Sequence, residues 1–253
     1  MRPVPHRREV GRLRWSAGAL LAGAAVGLGG CALPRFGAPD PASSQGRNVA
    51  HLWSGFFVVA MVVTLFVWVP LAFSLVRYRR RRGDDEIPSQ RAYHIPLEIL
   101  YTAVPIVIVA VLFFFSVRTE HKVTAVSAHP AARVEVVGFQ WGWRFRYVDE
   151  GFTVDADAGE MPTLVLPVGR PSNLRLVSKD VNHSFWVPRF LSKRDLIPGV
   201  RNEITVTPDR AGSYVGRCAE FCGLDHWRMS FSVKVVPMAQ YQSWVAGRKA
   251  AGS

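Results

Sequence analysis

The sequence predicts a membrane α-hairpin of two transmembrane helices followed by an all-β sandwich or barrel domain, and three observations carry that expectation. Two apolar stretches long enough to cross a bilayer both lie in the first half of the 253 residues. Arginines cluster at the flanks of apolar segments, as they do beside membrane spans. From Val134 onward the pattern changes to short runs rich in Val, Phe, Trp and Thr, broken by Gly, Pro, Asn and Asp, which marks many short strands. The length suits an anchor plus one compact domain of about 100 to 200 residues.

Residues 1–30 have the layout of a secretory signal peptide. A basic start with Arg2, Arg7, Arg8, Arg12 and Arg14 precedes an Ala/Gly/Leu-rich stretch ending in Leu28-Gly29-Gly30-Cys31. That ending resembles a bacterial lipobox, which makes Cys31 a candidate lipidation site with cleavage before it. Residues 31–50 form a linker, because Pro34 to Asn48 is too rich in Pro, Ala, Ser and Gly to bury a core. Residues 51–117 form the hairpin. Its first span, Leu52 to Val76, is free of charge over about 25 positions, enough to cross a hydrocarbon core of roughly 30 Å, and Pro70 should kink it. The second span runs from Ile95 to Val117 with Glu98 as its one charge.

Arg77, Arg79, Arg80, Arg81 and Arg82 place the intervening loop, residues 77–94, in the cytoplasm. Everything after Arg118 is then outside. Residues 118–240 supply eight candidate strands: Val134–Val137, Trp143–Tyr147, Thr163–Pro167, Asn173–Ser178, Ser184–Val187, Asn202–Thr207, Gly212–Gly216 and Met229–Val236. Residues 241–253 are a C-terminal tail, with a short helix expected over Met238 to Arg248.

The net charge of +12 arises from 31 Lys and Arg against 19 Asp and Glu, and could suggest nucleic acid as a partner. The arginine clusters instead follow the membrane topology, and no basic stripe interleaved with stacking aromatics exists, so nucleic acid binding is not expected.

The chemistry concentrates in Cys218-Ala-Glu-Phe-Cys222-Gly-Leu-Asp-His226-Trp-Arg-Met229, with a second histidine at His183 in Asn182-His183-Ser184-Phe185-Trp186-Val187-Pro188. Thiolate, imidazole and thioether donors spaced this closely on a strand-to-strand loop favour copper. One cysteine would suggest a mononuclear site; two thiolates can each bridge two copper ions, leaving one imidazole for each. A Cys218–Cys222 disulfide is the first competing reading in an oxidising compartment. It leaves His226 and Met229 on the same loop unexplained. Zinc could use two Cys and two His but gains little from the thioether.

These residues, with Lys193-Arg-Asp195-Leu-Ile-Pro198-Gly199, closely resemble the pattern of cytochrome c oxidase subunit II. The resemblance covers nearly the whole chain after the signal peptide. It implies a transmembrane hairpin carrying a cupredoxin-like domain on the extracytoplasmic face of a bacterial plasma membrane. Electrons would pass from cytochrome c through a dinuclear copper centre, CuA, to the haem and copper of subunit I, where O2 is reduced to water and protons are pumped. The family implies that Cys218 and Cys222 bridge the coppers, that His183 and His226 bind one each, and that Met229 and the Glu220 carbonyl are weaker ligands. The Glu220 side chain would reach a magnesium ion shared with subunit I. In Gly138-Phe-Gln140-Trp141-Gly-Trp143-Arg-Phe-Arg-Tyr147, the resemblance makes Trp141 the electron acceptor; Trp143 is expected to pack. Glu98 in Pro96-Leu-Glu98-Ile-Leu-Tyr-Thr-Ala-Val-Pro105 matches an acid at the mouth of a proton pathway.

One departure concerns the donor. Arg144 and Arg146 interrupt what is usually an acidic docking face, leaving Asp155, Asp157, Glu160, Asp180 and Asp195 as candidate docking acids. Cytochrome c, soluble or membrane-bound, is the expected partner, and a tethered one would need less steering. The competing functions are a quinol oxidase subunit, which lacks the copper ligands, and a membrane-tethered copper store. The latter gives Glu98 and the Trp141 segment nothing to do.

Overall fold

The computed structural model describes residues 35–79, 92–156 and 161–251, with positions 83, 87 and 90 between the first two segments. The signal segment, Cys31, Asp157, Glu160 and most of the arginine-rich loop lie outside the described residues. The described residues from Asp40 onward form one compact unit.

Two long helices come first, α1 (Ser44–Arg77) and α2 (Ile95–Thr124). Both are long and apolar enough to cross a membrane, and the most apolar stretch of each is unburied within the chain. Pro70 and Pro105 sit inside them. The expected span boundaries hold at the loop end and understate the helices at the other, where the first begins at Ser44 and the second runs on to Thr124.

The β domain contains ten strands among the described residues: β1 (Ala132–Phe139), β2 (Gly142–Tyr147), β3 (Phe152–Ala156), β4 (Thr163–Pro167), β5 (Ser172–Ser178), β6 (His183–Val187), β7 (Ser192–Leu196), β8 (Asn202–Val206), β9 (Gly212–Cys218) and β10 (Ser230–Val236). They form two five-stranded sheets, ordered β3-β2-β1-β5-β8 and β4-β10-β9-β6-β7. The pairings are antiparallel except β1 with β5 and β4 with β10. A final helix, α3 (Met238–Ala251), packs Tyr241 and Trp244 against the core.

All eight expected strands are present. The two further strands, β3 and β7, lie at sheet edges, and each buries a single residue, Val154 and Leu196. One buried side chain in five leaves little hydrophobic alternation for a sequence reading to detect.

Between the sheets lies an aromatic core. Trp143, Phe145, Tyr147, Phe185 and Phe231 are essentially fully buried. Phe231 stacks on Phe185 at 4.8 Å and meets Trp143 edge-on at 5.0 Å. Tyr147 closes the exposed side of edge strand β4, its hydroxyl accepting from Val165 N at 2.8 Å and donating to Val165 O at 2.9 Å. Burial is the largest influence on that phenol and raises its pKa well above the ordinary value.

A short strap joins α1 to the sandwich. Ala42 and Ser43 are buried, and the Ser43 hydroxyl accepts from Gly46 N at 2.9 Å while donating to Phe190 O at 3.0 Å. It therefore caps the helix and docks it with one group. Asp40 pairs with Arg189 and Arg210, and Arg47 pairs with Asp209. On the other side, Ser127, just beyond α2, donates its N–H to Thr205 Oγ1 at 2.9 Å and accepts from Asn173 Nδ2 at 2.9 Å. Both helices are thus tied to the β domain by buried or half-buried hydrogen bonds.

Candidate metal centre

The copper-type motif folds as the connection between β9 and β10. Cys218 ends β9, a short 3₁₀ turn spans His226–Arg228, and Met229 precedes β10. Antiparallel pairing of β6 with β9 sets Phe185 opposite Cys218, and Ala219 N donates to Ser184 O at 3.1 Å. That register brings His183, at the start of β6, against the loop although it lies 35 residues earlier.

The predicted donors converge. Cys218 Sγ is 3.9 Å from Cys222 Sγ and 3.9 Å from His183 Nδ1. Cys222 Sγ is 3.5 Å from His226 Nδ1 and 3.8 Å from Met229 Sδ. The Glu220 carbonyl oxygen is 3.2 Å from Cys218 Sγ. His183, Cys218, Cys222 and Met229 are buried, whereas His226 is half-buried. The ligand atoms of His183, Cys218 and Cys222 all lie within 4.8 Å of one another. The arrangement has two poles, His183 beside Cys218 and His226 beside Cys222.

This donor set fits copper. Two thiolates about 2.3 Å from a shared ion at a tetrahedral angle lie roughly 3.8 Å apart. A disulfide brings the sulfurs to about 2.05 Å. Both cysteines are free at the observed 3.9 Å. The thiols do not ionise alike. Burial pushes Cys218 up, but hydrogen bonding with His183 and with the Glu220 and Ser184 backbone brings it below its ordinary value. Burial and the neighbouring Cys218 charge push Cys222 up to about 12.

A shell of partners surrounds the donors. With Nδ1 turned toward Cys218, His183 Nε2 carries the proton and donates to Asp180 Oδ1 at 2.8 Å. Burial opposes the imidazolium, yet the hydrogen bonds to Cys218 and Asp180 win and raise the His183 pKa. Asp180 shifts the opposite way: burial works to raise it, and the His183 bond with two backbone N–H groups lowers it overall. Gly138 makes room for the ring, since a Cβ there would lie 3.1 Å from His183 Cδ2 and 3.0 Å from Leu196 Cδ2.

Trp141 sits on the turn between β1 and β2 and reaches the same loop. Its Nε1 donates to Cys222 O at 3.0 Å, and Gln140 Nε2 donates to that carbonyl at 2.8 Å. Gly223, at φ +114°, permits the approach; a Cβ there would be 3.1 Å from the Trp141 ring. Trp143 points inward, fully buried, with Nε1 donating to Met229 O at 3.3 Å. Arg144 and Arg146, which disturb the acidic face in sequence, are paired with Asp155 and Glu135.

Glu98 stands apart from this cluster. It lies in the first turn of α2, where its Oε1 accepts from His94 N at 2.9 Å in a capping arrangement. The helix axis carries it roughly 40 Å from the α2 end that meets the sandwich. Sequence reasoning gave Gln140 and Gly138 no part in the site and read Asp180 as a candidate docking acid, without its bonds to His183 and Gln140 N. A carboxylate three residues before a histidine ligand is the signal that could have found Asp180.

Comparison with known proteins agrees with the geometry. Residues 33–119 match the family model for the transmembrane domain of cytochrome C oxidase subunit II, and residues 159–236 match the model for its periplasmic domain. A probable cytochrome c oxidase subunit 2 of Streptomyces avermitilis is 39% identical over 247 residues, covering 83% of this chain and 77% of the relative. Cytochrome c oxidase subunit 2 of Corynebacterium glutamicum is 30% identical over 306 residues, covering 90% and 84%. Among solved structures, the periplasmic domain of subunit II of cytochrome oxidase from Bradyrhizobium japonicum is 28% identical, with a TM-score of 0.46, over 51% of this chain and 100% of that one.

Proposed function

The chain belongs to the cytochrome c oxidase subunit II family, and from that premise we propose that it takes electrons one at a time from cytochrome c and passes them to subunit I of a proton-pumping oxidase. Convergence of two free thiols, one imidazole and a thioether from the β9–β10 loop with the His183 imidazole from β6 carries this reading. Cys218 and Cys222 would bridge two copper ions, with His183 and His226 binding one each and Met229 and the Glu220 carbonyl completing the set. Copper held there supplies a one-electron carrier whose charge is shared between two ions.

The chain's own residues then divide the labour. Trp141 accepts the electron at the surface and is joined through its indole N–H to the Cys222 backbone. Burial of His183 and both sulfurs keeps water away, which limits reorganisation on each transfer. His226 lies at the opposite pole from His183. The Glu220 carboxylate would hold a magnesium ion against subunit I. Glu98 would stand at the mouth of a proton pathway there, and Cys31 would carry a lipid. The β domain would face the extracytoplasmic side of the plasma membrane, with further oxidase subunits around the hairpin. A copper store has no use for a tryptophan bonded to its ligand loop, and oxygen consumption by the assembled complex separates the two functions.

The test is copper stoichiometry and spectroscopy on the purified full-length chain. Two coppers per chain and a seven-line hyperfine pattern in electron paramagnetic resonance are expected. Cys218→Ser and Cys222→Ser should each abolish that pattern, because a hydroxyl does not bridge as a soft thiolate does. A single copper in the unaltered chain overturns the dinuclear reading.

A further inference from the structure

We propose that Asp180 is a positioning residue that holds the His183 imidazole and the Trp141 turn in one fixed relation. The inference rests on the reading above, in which His183 binds copper and Trp141 receives the electron. Three donors converge on the carboxylate. Oδ1 accepts from His183 Nε2 at 2.8 Å and from Val181 N at 2.7 Å, and Oδ2 accepts from Gln140 N at 2.7 Å. The turn so anchored reaches across to the β9–β10 loop, where Gln140 Nε2 and Trp141 Nε1 both donate to Cys222 O. A circuit results through His183, Asp180, the Gln140–Trp141 turn and Cys222, closed by Cys218, whose Sγ lies 3.9 Å from both Cys222 Sγ and His183 Nδ1.

The chemistry of the group explains why a carboxylate stands here. An ionised Asp offers acceptors on both oxygens, and all three partners are N–H donors. An amide offers acceptors on one oxygen only. Asparagine could serve His183 and Val181 or serve Gln140, while its NH2 would face an N–H on the other side. A charged partner on the far nitrogen of a ligating histidine also fixes the tautomer and makes the ligand more electron-donating. The Asp180 side chain is 30% exposed, so its charge is visible at the surface where a donor would dock, yet both of its oxygens are engaged inward. A docking acid would act only when the donor is present. A positioning acid acts on the copper-loaded chain alone.

The experiment therefore omits the donor. Copper affinity by competition titration, the hyperfine pattern and the reduction potential are measured on the full-length chain and on Asp180→Asn, Asp180→Glu and Asp149→Asn. Asp149 pairs with Arg133 at the surface and controls for loss of one negative charge. Asp180→Asn is expected to weaken copper binding by about tenfold to a hundredfold, to alter the hyperfine pattern and to raise the potential. Asp180→Glu keeps the charge and both acceptors on a longer arm, and should recover most of the affinity with a displaced hyperfine pattern. Asp149→Asn should match the unaltered chain in all three. If the unaltered chain holds two coppers and Asp180→Asn leaves affinity, pattern and potential unchanged, the positioning role is overturned while the dinuclear reading stands. If Asp180→Asn does not fold, Asp180→Glu decides: a displaced pattern supports the role, and an identical one overturns it. An unaltered chain that binds no copper pair overturns both.

Discussion

Trp141 and Trp143 are two positions apart, and the structure gives them opposite surroundings. Trp141 is half-buried and bonded to the Cys222 carbonyl; Trp143 is fully buried, 5.0 Å from Phe231 and 6.4 Å from the His183 ring. Trp141→Gln should leave copper content and spectrum nearly unchanged, because Gln140 still donates to Cys222 O. Turnover with the cytochrome donor should fall at least tenfold, about 1.4 kcal/mol or more in barrier, under conditions where electron uptake limits the rate. Trp143→Phe should disturb stability and the His183 surroundings and slow uptake much less. Unchanged turnover in Trp141→Gln, or loss of activity only through loss of copper, returns Trp141 to the packing residues. The donor set was legible in sequence because five of its residues lie within one loop and their softness names the metal class. Asp180 and Gln140 were not legible as partners of that loop. Their contacts come from a turn 40 residues from Asp180 and 82 from Cys222, and only the sheet order brings these segments together.

At the scale of elements, the strands that alternate strongly were readable, and the edge strands β3 and β7 were not, for want of buried side chains. The strap before α1 was equally hidden. A Pro/Ala/Ser-rich composition suggests a free linker, yet Ala42 and Ser43 are buried through backbone bonds that composition does not encode: Ala42 N to Arg189 O at 2.7 Å and Ser44 N to Thr207 O at 3.0 Å. The Ser43 hydroxyl is the hinge of this arrangement, serving Gly46 N and Phe190 O together. Ser43→Ala removes an N-cap and leaves a buried carbonyl with one donor fewer, a loss of about 1 to 2 kcal/mol. Local opening of the strap should then become roughly five- to thirtyfold more frequent. Hydrogen exchange on the full-length chain reads this directly at the amides of Ala42, Ser44 and Gly46, while those of β5 and β10 keep their protection. Equal exchange at the strap amides in both chains would show that the Ser43 hydroxyl contributes nothing to docking.

For the whole molecule, the question is what holds it in the membrane. The helices of 34 and 30 residues extend roughly 50 and 45 Å, well beyond a hydrocarbon core of about 30 Å, and no residue of their most apolar stretches is buried within the chain. Acyl chains, even two together, hold a protein less firmly than a transmembrane helix, whose insertion is effectively permanent. With two candidate spans in the chain, a lipid on Cys31 is expected to add little to anchoring. Cys31→Ser should yield a chain whose amino terminus carries no lipid by mass spectrometry, and cleavage before residue 31 should fail with it. The same variant should stay in the membrane fraction through an alkaline carbonate wash, and should keep its copper, since the ligand loop is fixed by β6, β9 and β10. A native amino terminus upstream of Cys31 in the unaltered protein rejects lipidation at this residue. Release of Cys31→Ser by the wash would instead mean that the apolar helices do not anchor the chain by themselves, and the hairpin reading would have to be abandoned for a lipid-tethered one.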